Sequence, residues 1–377
     1  MLFRNCLTLI SILLFTAVTL TTTGCKSTTA QPERVYSAAP APVVQVSPTA
    51  AQRMDQPISI AAVGDIMMGS TYPDASALPP DDGAKMLAEV TPILAGADLA
   101  FGNLEGPMLE GGATSKCSPR STRCFAFRVP TRYGKHLKDA GFDVMSLANN
   151  HAYDFGPEGR ESSMRTLDAL GIAHTGKVGD IAYLNVKGRK VAIIAFATYP
   201  TSYNFLDIEN AKRLVTGLVA KNDIVVVSFH GGAEGTDHQH VPRGPENYLG
   251  EDRGDLRKFT HAMIDAGADL LIGHGPHIVR GLEVYRGRLI AYSLGNFATY
   301  GKFQMVGATS LSLILEAQLG ADGAFMGGRI HPALQIKPGG PRLDKNRTVI
   351  PVIRQLSSDD FGASAVRVSE DGTISTP

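Results

Sequence analysis

Charge in excess of either sign is absent from this sequence: 377 residues carry 36 Lys+Arg against 36 Asp+Glu, a formal net charge of zero. Bulk electrostatics therefore gives no reason to expect a polyanionic partner, and no nucleic acid is expected. Tryptophan is absent and no internal repeat is visible. No Gly-x-x-x-x-Gly-Lys-Ser/Thr loop occurs either, which excludes ligation chemistry run through a Walker-type phosphate cradle. Cysteine is scarce, at four residues. What is there, 44% hydrophobic and 19% charged residues, is an ordinary globular composition, enough for one large domain or two smaller ones.

The apolar stretch from Cys6 to Leu20 is too short and wrongly flanked for a stable transmembrane helix. With Arg4 before it and small residues up to Cys25, residues 1–25 read as a secretory signal. The ending "TTTGC" resembles a bacterial lipobox, which would leave Cys25 as a lipidated first residue and anchor the chain to a membrane. Thr22 stands where a lipobox usually has Leu, so a simple cleaved signal is the alternative. Residues 26–55, rich in Ala, Pro, Ser, Thr, Val and Gln, read as a flexible tether, with the folded domain starting near Gln56. Export fits the remaining cysteines: Cys117 and Cys124 enclose six residues and suit a small disulfide loop. A zinc site is the weaker reading, because no other Cys or His is near in sequence.

From Ile58 onward, apolar strands alternate with amphipathic helices. "ISIAAV", "ADLAFG", "GFDVMSLA", "KVAIIAF", "DIVVVSF", "ADLLIG" and "RLIAYSL" read as strands. "AKMLAEVTPILA" (Met86, Val90, Ile93 and Leu94 on one face), "TRYGKHLKDAG", "PEGRESSMRTLDALG" and "RGDLRKFTHAMIDAG" read as helices. The alternation predicts an α/β fold with an at least partly parallel sheet, and antiparallel strands after about Met305.

The strand ends carry the chemistry. Taken alone, "NNHAYD" is explained by turn asparagines (Asn149, Asn150), a loop histidine (His151) and a helix N-cap (Asp154). Yet five strands each end in Asp, Glu, Asn or His: Asp65; Asn103 and Glu105; Asn149 to Asp154; His230 with Glu234; His274 and His277. In open α/β sheets that carboxyl rim is where ligands bind. Histidines, carboxylates and an asparagine oxygen without thiolate make a mixed N/O donor set, suited to one or two divalent ions of Mn, Fe or Zn.

"AVGDIMMG", "GNLEGP", "SLANNHAYDFG", "SFHGGAE" and "IGHGPHIVRGLEVYRGRLIAYSLGNF" resemble the CapA family of capsule or poly-γ-glutamate synthesis proteins, related to calcineurin-like metallophosphoesterases. The resemblance runs from Ile58 to Phe297 and more loosely to Val352. A domain of 56–352 with a C-terminal extension of 353–377 is thus expected. It implies a four-layer α/β fold, two facing mixed β-sheets flanked by helices. It also implies Asp65, Glu105, Asn150, His230, His274 and His277 as metal ligands, Glu105 taking the place of a bridging aspartate. His151 would be the catalytic acid that protonates the leaving group, oriented by Asp154. Three departures stand out: the Asp-x-His of the phosphoesterases is here Asp65-Ile66-Met67, Gly231 replaces a frequent Trp, and Gly275 precedes Pro276 where a His is common.

The resemblance therefore implies a metal-dependent hydrolase of the cell envelope, on the periplasmic side. It would act on a phosphoester, or on an amide or ester in a polymer, alongside membrane-bound synthesis proteins and an anionic capsule polymer. The alternative is a non-catalytic accessory lipoprotein for synthesis or export of that polymer.

Overall fold

Period-two alternation with apolar residues on both sides fixes the layers. In strand Ile58–Met67, Ile58, Ile60 and Ala62 enter one core and Ala61 and Val63 another. In strand Arg189–Ala197, Val191 and Ile193 enter the first of these cores, while Ala192 and Ile194 enter a third. Strands apolar on both faces must be covered on both. The computed structural model describes residues 56–117 and 124–377. The signal, Cys25 and the tether expected from the sequence lie outside the described residues. Among the described residues no helix is long and apolar enough to cross a membrane.

The first sheet has ten strands. Ile58–Met67 pairs in parallel with Leu99–Leu104, and the parallel run continues through Val144–Ser146 to Ala173–Thr175. On its other side it pairs antiparallel with Leu311–Leu319, and that strand with Phe325–Gln335. The second sheet has seven strands: Arg189–Ala197, Ile224–His230, Leu270–His274 and Arg288–Ala291 run parallel, with Ala182–Val186 and Leu282–Tyr285 antiparallel at its edges and the short Tyr203–Asn204 parallel to Arg189–Ala197. Side chains of both sheets share the central core. Helices Thr91–Leu94, Gly134–Asp139 and Gly156–Leu170 cover the outer face of the first sheet, and Ile208–Val219 and Leu256–Asp265 that of the second. The fold is therefore the expected four-layer α/β arrangement of two facing mixed sheets.

Two elements differ from the sequence reading. The helix expected over "AKMLAEVTPILA" forms only at Thr91–Leu94. Residues before it run in tighter turns, with Met86 N donating to Gly83 O and Val90 N to Leu87 O. Pro92 has no N–H to extend an α-helical ladder backwards, so the helix begins there. Met86, Val90 and Leu94 are nonetheless buried together, as the periodicity predicts. At the other end, position 352 falls inside helix Val349–Phe361, whose Val349, Ile350 and Ile353 pack into the core between the sheets. Strands Arg367–Val368 and Thr373–Ser375 then extend the first sheet.

Cys117 and Cys124 form a disulfide, with Cα atoms 5.5 Å apart. Cys117 packs with Leu109, Ala126 and Phe155. Alkylation without reduction should leave both sulfurs unmodified, and Cys117→Ser with Cys124→Ser should cost roughly 2–3 kcal/mol of stability. Two alkylated thiols, or an unchanged denaturation midpoint in the double variant, would count against this.

Candidate metal centre

Strand Ile58–Met67 delivers Asp65 to the carboxyl rim through a close backbone approach. Asp65 N donates to Gly295 O at 2.9 Å. A Cβ on the preceding Gly64 would lie 1.9 Å from that same carbonyl oxygen, so only glycine fits. Gly64→Ala should therefore destabilise by at least about 1–3 kcal/mol and displace Asp65. Urea unfolding checks this, and a wild-type midpoint would contradict it.

The next strand contributes two polar residues. Asn103 is the register partner of Asp65 and donates from Nδ2 to Asp65 Oδ1 at 2.8 Å. Glu105 is fully buried, its N–H held by Ile66 O at 2.9 Å. The second sheet supplies the facing histidines: His230 and His274 are register partners on adjacent parallel strands, and both are buried. His277 follows in the left-handed region, φ 59°. Asn296 fixes it twice, lying with Oδ1 3.0 Å from His277 Nδ1 and donating from Nδ2 to the His277 carbonyl at 3.2 Å.

These groups converge. His274 Nδ1 lies 3.3 Å from Asp65 Oδ1, and His277 Nδ1 lies 3.2 Å from Asp65 Oδ2. His277 Nε2 is 3.7 Å from Glu105 Oε1, and His230 Nε2 is 4.0 Å from that same oxygen. Asp65, Glu105 and His277 each offer a ligand atom within 4.8 Å of the others. Burial opposes ionisation of Asp65, but the adjacent His274 and His277 outweigh it and hold the carboxyl below its usual range. Burial, then the Asp65 charge, push Glu105 well above its ordinary value. Burial also pulls His230 well down. For His277, the Glu105 and Asp65 carboxylates overcome burial and push it up to about 10.

The donor set fits a divalent cation on its own chemistry. Both Glu105 oxygens, Asn150 Oδ1 and both ring nitrogens of His230 and His274 are buried without a hydrogen-bond partner among the described residues. An unsatisfied buried polar group costs about 1–3 kcal/mol, more if charged. Seven such atoms at one rim are a large cost for a fold that uses them for nothing. Nitrogen and oxygen donors without thiolate suit Mn, Fe or Zn.

The loop Asn149–Asp154 divides its labour. Asn149 is the organiser: Oδ1 accepts from the N–H groups of His151 (3.1 Å) and Ala152 (2.7 Å), and Nδ2 donates to Asn103 Oδ1 (3.0 Å) and Leu104 O (2.9 Å). This links the loop through Asn103 to Asp65, and leaves the neighbouring Asn150 oxygen unused. His151 Nδ1 lies 2.8 Å from Asp154 Oδ2, which also accepts from Phe127 N at 2.7 Å. Asp154 does not cap the following helix, whose N-cap position is Phe155. Burial pulls the His151 imidazole below its ordinary value, against the pull of Asp154.

Sequence reasoning missed Lys116. Its Nζ pairs with Asp154 Oδ1, donates to Asn150 O at 3.0 Å and lies 3.2 Å from His151 Nδ1. Its only sequence signal is its place beside Cys117. Glu283, to which the sequence assigned no role, meets His261, Tyr292 and Ser364 in a packing network.

The description "bacterial capsule synthesis protein PGA_cap" belongs to a family whose sequence profile matches residues 59–300. The chain is 30% identical over 332 residues to the capsule biosynthesis protein CapA of Bacillus anthracis, covering 81% of this chain and 74% of that one. It is 30% identical over 262 residues to the PGA biosynthesis protein CapA of Bacillus subtilis, covering 64% and 63% respectively. Among solved structures, the NAD nucleotidase of Haemophilus influenzae aligns with a TM-score of 0.39 and 10% identity, over 78% of this chain and 55% of that one.

Proposed function

The chain belongs to the bacterial capsule synthesis protein PGA_cap family, and from that premise we propose that it is a metal-dependent hydrolase of the metallophosphoesterase type. The observation that carries the proposal is the set of buried side-chain atoms of Glu105, His230 and His274 without hydrogen-bond partners among the described residues, gathered with Asp65 and His277, with the Asn150 oxygen likewise unspent after the neighbouring strand. A fold maintained only for packing has no use for them.

Asp65, Glu105, Asn150, His230, His274 and His277 would hold one or two ions. A divalent cation in such a site supplies Lewis acidity and lowers the pKa of water. His151 is the group placed to move a proton. Asp154 holds Nδ1, which leaves Nε2 for the leaving group of a phosphoester, or of an amide or ester in a polymer. The Asp154 carboxylate, 2.8 Å away, opposes the burial that disfavours the imidazolium and so supports the proton that is donated. Asn149 and Asn103 keep that loop in register with Asp65.

The relatives' names, a capsule and a PGA biosynthesis protein, support a role near the synthesis machinery, and the proposed work lies beside an anionic capsule polymer and membrane-bound synthesis proteins, on the periplasmic side. A signal at 1–25 with lipid on Cys25 and a tether at 26–55 would hold the domain there. The test is metal analysis of the purified domain paired with a screen of phosphoesters and peptide amides. Bound metal with cation-dependent turnover supports the hydrolase. Bound metal without turnover on any substrate leaves the accessory role in polymer synthesis or export.

A further inference from the structure

Glu234 has no place in the ligand set above, yet the structure holds it at the same rim. It follows His230 through Gly231 and Gly232, the latter at φ 85°, a turn that brings the chain back over the strand end. One carboxylate oxygen, Oε1, is 3.1 Å from Nη1 of Arg253. Arg253 is itself 1% exposed and fixed, donating from Nε to Gly232 O at 2.9 Å and from Nη1 to the Tyr199 hydroxyl at 2.9 Å. The second oxygen, Oε2, makes no hydrogen bond among the described residues and lies 4.0 Å from His277 Nε2. A buried guanidinium thus orients the carboxylate by one oxygen and leaves the other turned to the centre.

Resting on the metal reading above, we propose that Glu234 is a direct ligand of the cation, sharing one ion with His277. Glu234 Oε2 stands 4.0 Å from His277 Nε2, the ring nitrogen that lies 3.7 Å from Glu105 Oε1 in the compact group of Asp65, Glu105 and His277. Two donors bound to one ion at about 2.0–2.2 Å stand roughly 3–4.4 Å apart, so these separations are those of ligands to a common ion. A direct hydrogen bond between them would need about 2.7–3.2 Å. The second observation is Glu105, whose two oxygens are buried and have no hydrogen-bond partner among the described residues. Strand Ile58–Met67 offers Asp65 alone, since Met67 provides no hard donor, and Glu234 fills the coordination from the facing sheet. Arg253 acts as a positioning residue through this ion pair: outer partners of ligating carboxylates orient them, and their loss typically weakens metal affinity 10–100-fold.

The test is titration of the chelator-treated protein with Zn²⁺, for wild type, Glu234→Gln and Arg253→Gln, each checked by circular dichroism. Wild type should bind Zn²⁺, Glu234→Gln should bind at least tenfold more weakly, and Arg253→Gln should fall between them. Glu234→Gln with wild-type affinity overturns the proposal while leaving the metal reading intact. A wild type that binds no Zn²⁺ overturns the metal reading itself, and this proposal with it. Crystals of the wild-type protein soaked in Zn²⁺ give an answer that does not depend on a variant folding. An anomalous peak about 2.0–2.2 Å from a Glu234 oxygen supports direct ligation. A peak held by Glu105 and His277 with no Glu234 oxygen in coordination range overturns it.

Discussion

His151→Ala should lower turnover on a verified substrate by about 10²–10⁴-fold and leave the cation bound. The two halves of that expectation come from different contacts. His151 Nδ1 is committed to Asp154 Oδ2 at 2.8 Å, and its ring packs against Phe127 at a centroid distance of 4.3 Å. Neither contact involves Asp65, Glu105 or His277, so removing the imidazole takes away a proton carrier and not a donor of the cluster. Kinetics and metal content measured on the same preparation separate the roles. Loss of all metal would make His151 a ligand, and unchanged turnover would remove it from the chemistry.

His277→Ala should do the reverse and strip the metal. Its ring stands among the carboxylates, 3.2 Å from Asp65 Oδ2, 3.7 Å from Glu105 Oε1 and 4.0 Å from Glu234 Oε2. Without it those carboxylates face one another unscreened. Wild-type protein at 100 times the dissociation constant of its metal should gain about 2.7 kcal/mol, or about 4–5 °C in melting temperature for a domain of this size. The variant should show no such shift. A variant that keeps both the metal and the shift would place the ion elsewhere.

The sheets and the rim were legible in the sequence because both depend on local pattern. Period-two apolar runs such as "DIVVVSF" specify strands buried on both faces, and a parallel strand must end at the ligand-binding rim, so His230 and His274 were placed by their strands alone. Contacts that close over long separations were not legible. Lys116 reaches Asp154 from beside the Cys117–Cys124 disulfide, and Asn296 clamps His277 from a later strand. Residue chemistry alone could not tell Asn149 from Asn150, which only the family resemblance separated; the hydrogen bonds show the Asn149 amide spent on the loop and the Asn150 oxygen unspent. The helix over residues 84–95 was misjudged for a local reason, the proline at position 92, whose effect on the preceding turns outweighed a correct apolar face.

Metal content of the purified domain, by inductively coupled plasma mass spectrometry on wild type and Asp65→Asn in parallel, tests the central claim most directly. Asp65 touches His274, His277 and Asn103 at once, so its charge is the one the cluster depends on most. Each wild-type chain should carry one or two Mn, Fe or Zn ions, and a folded Asp65→Asn variant substoichiometric metal. A folded wild-type protein that takes up none of these ions would contradict that claim.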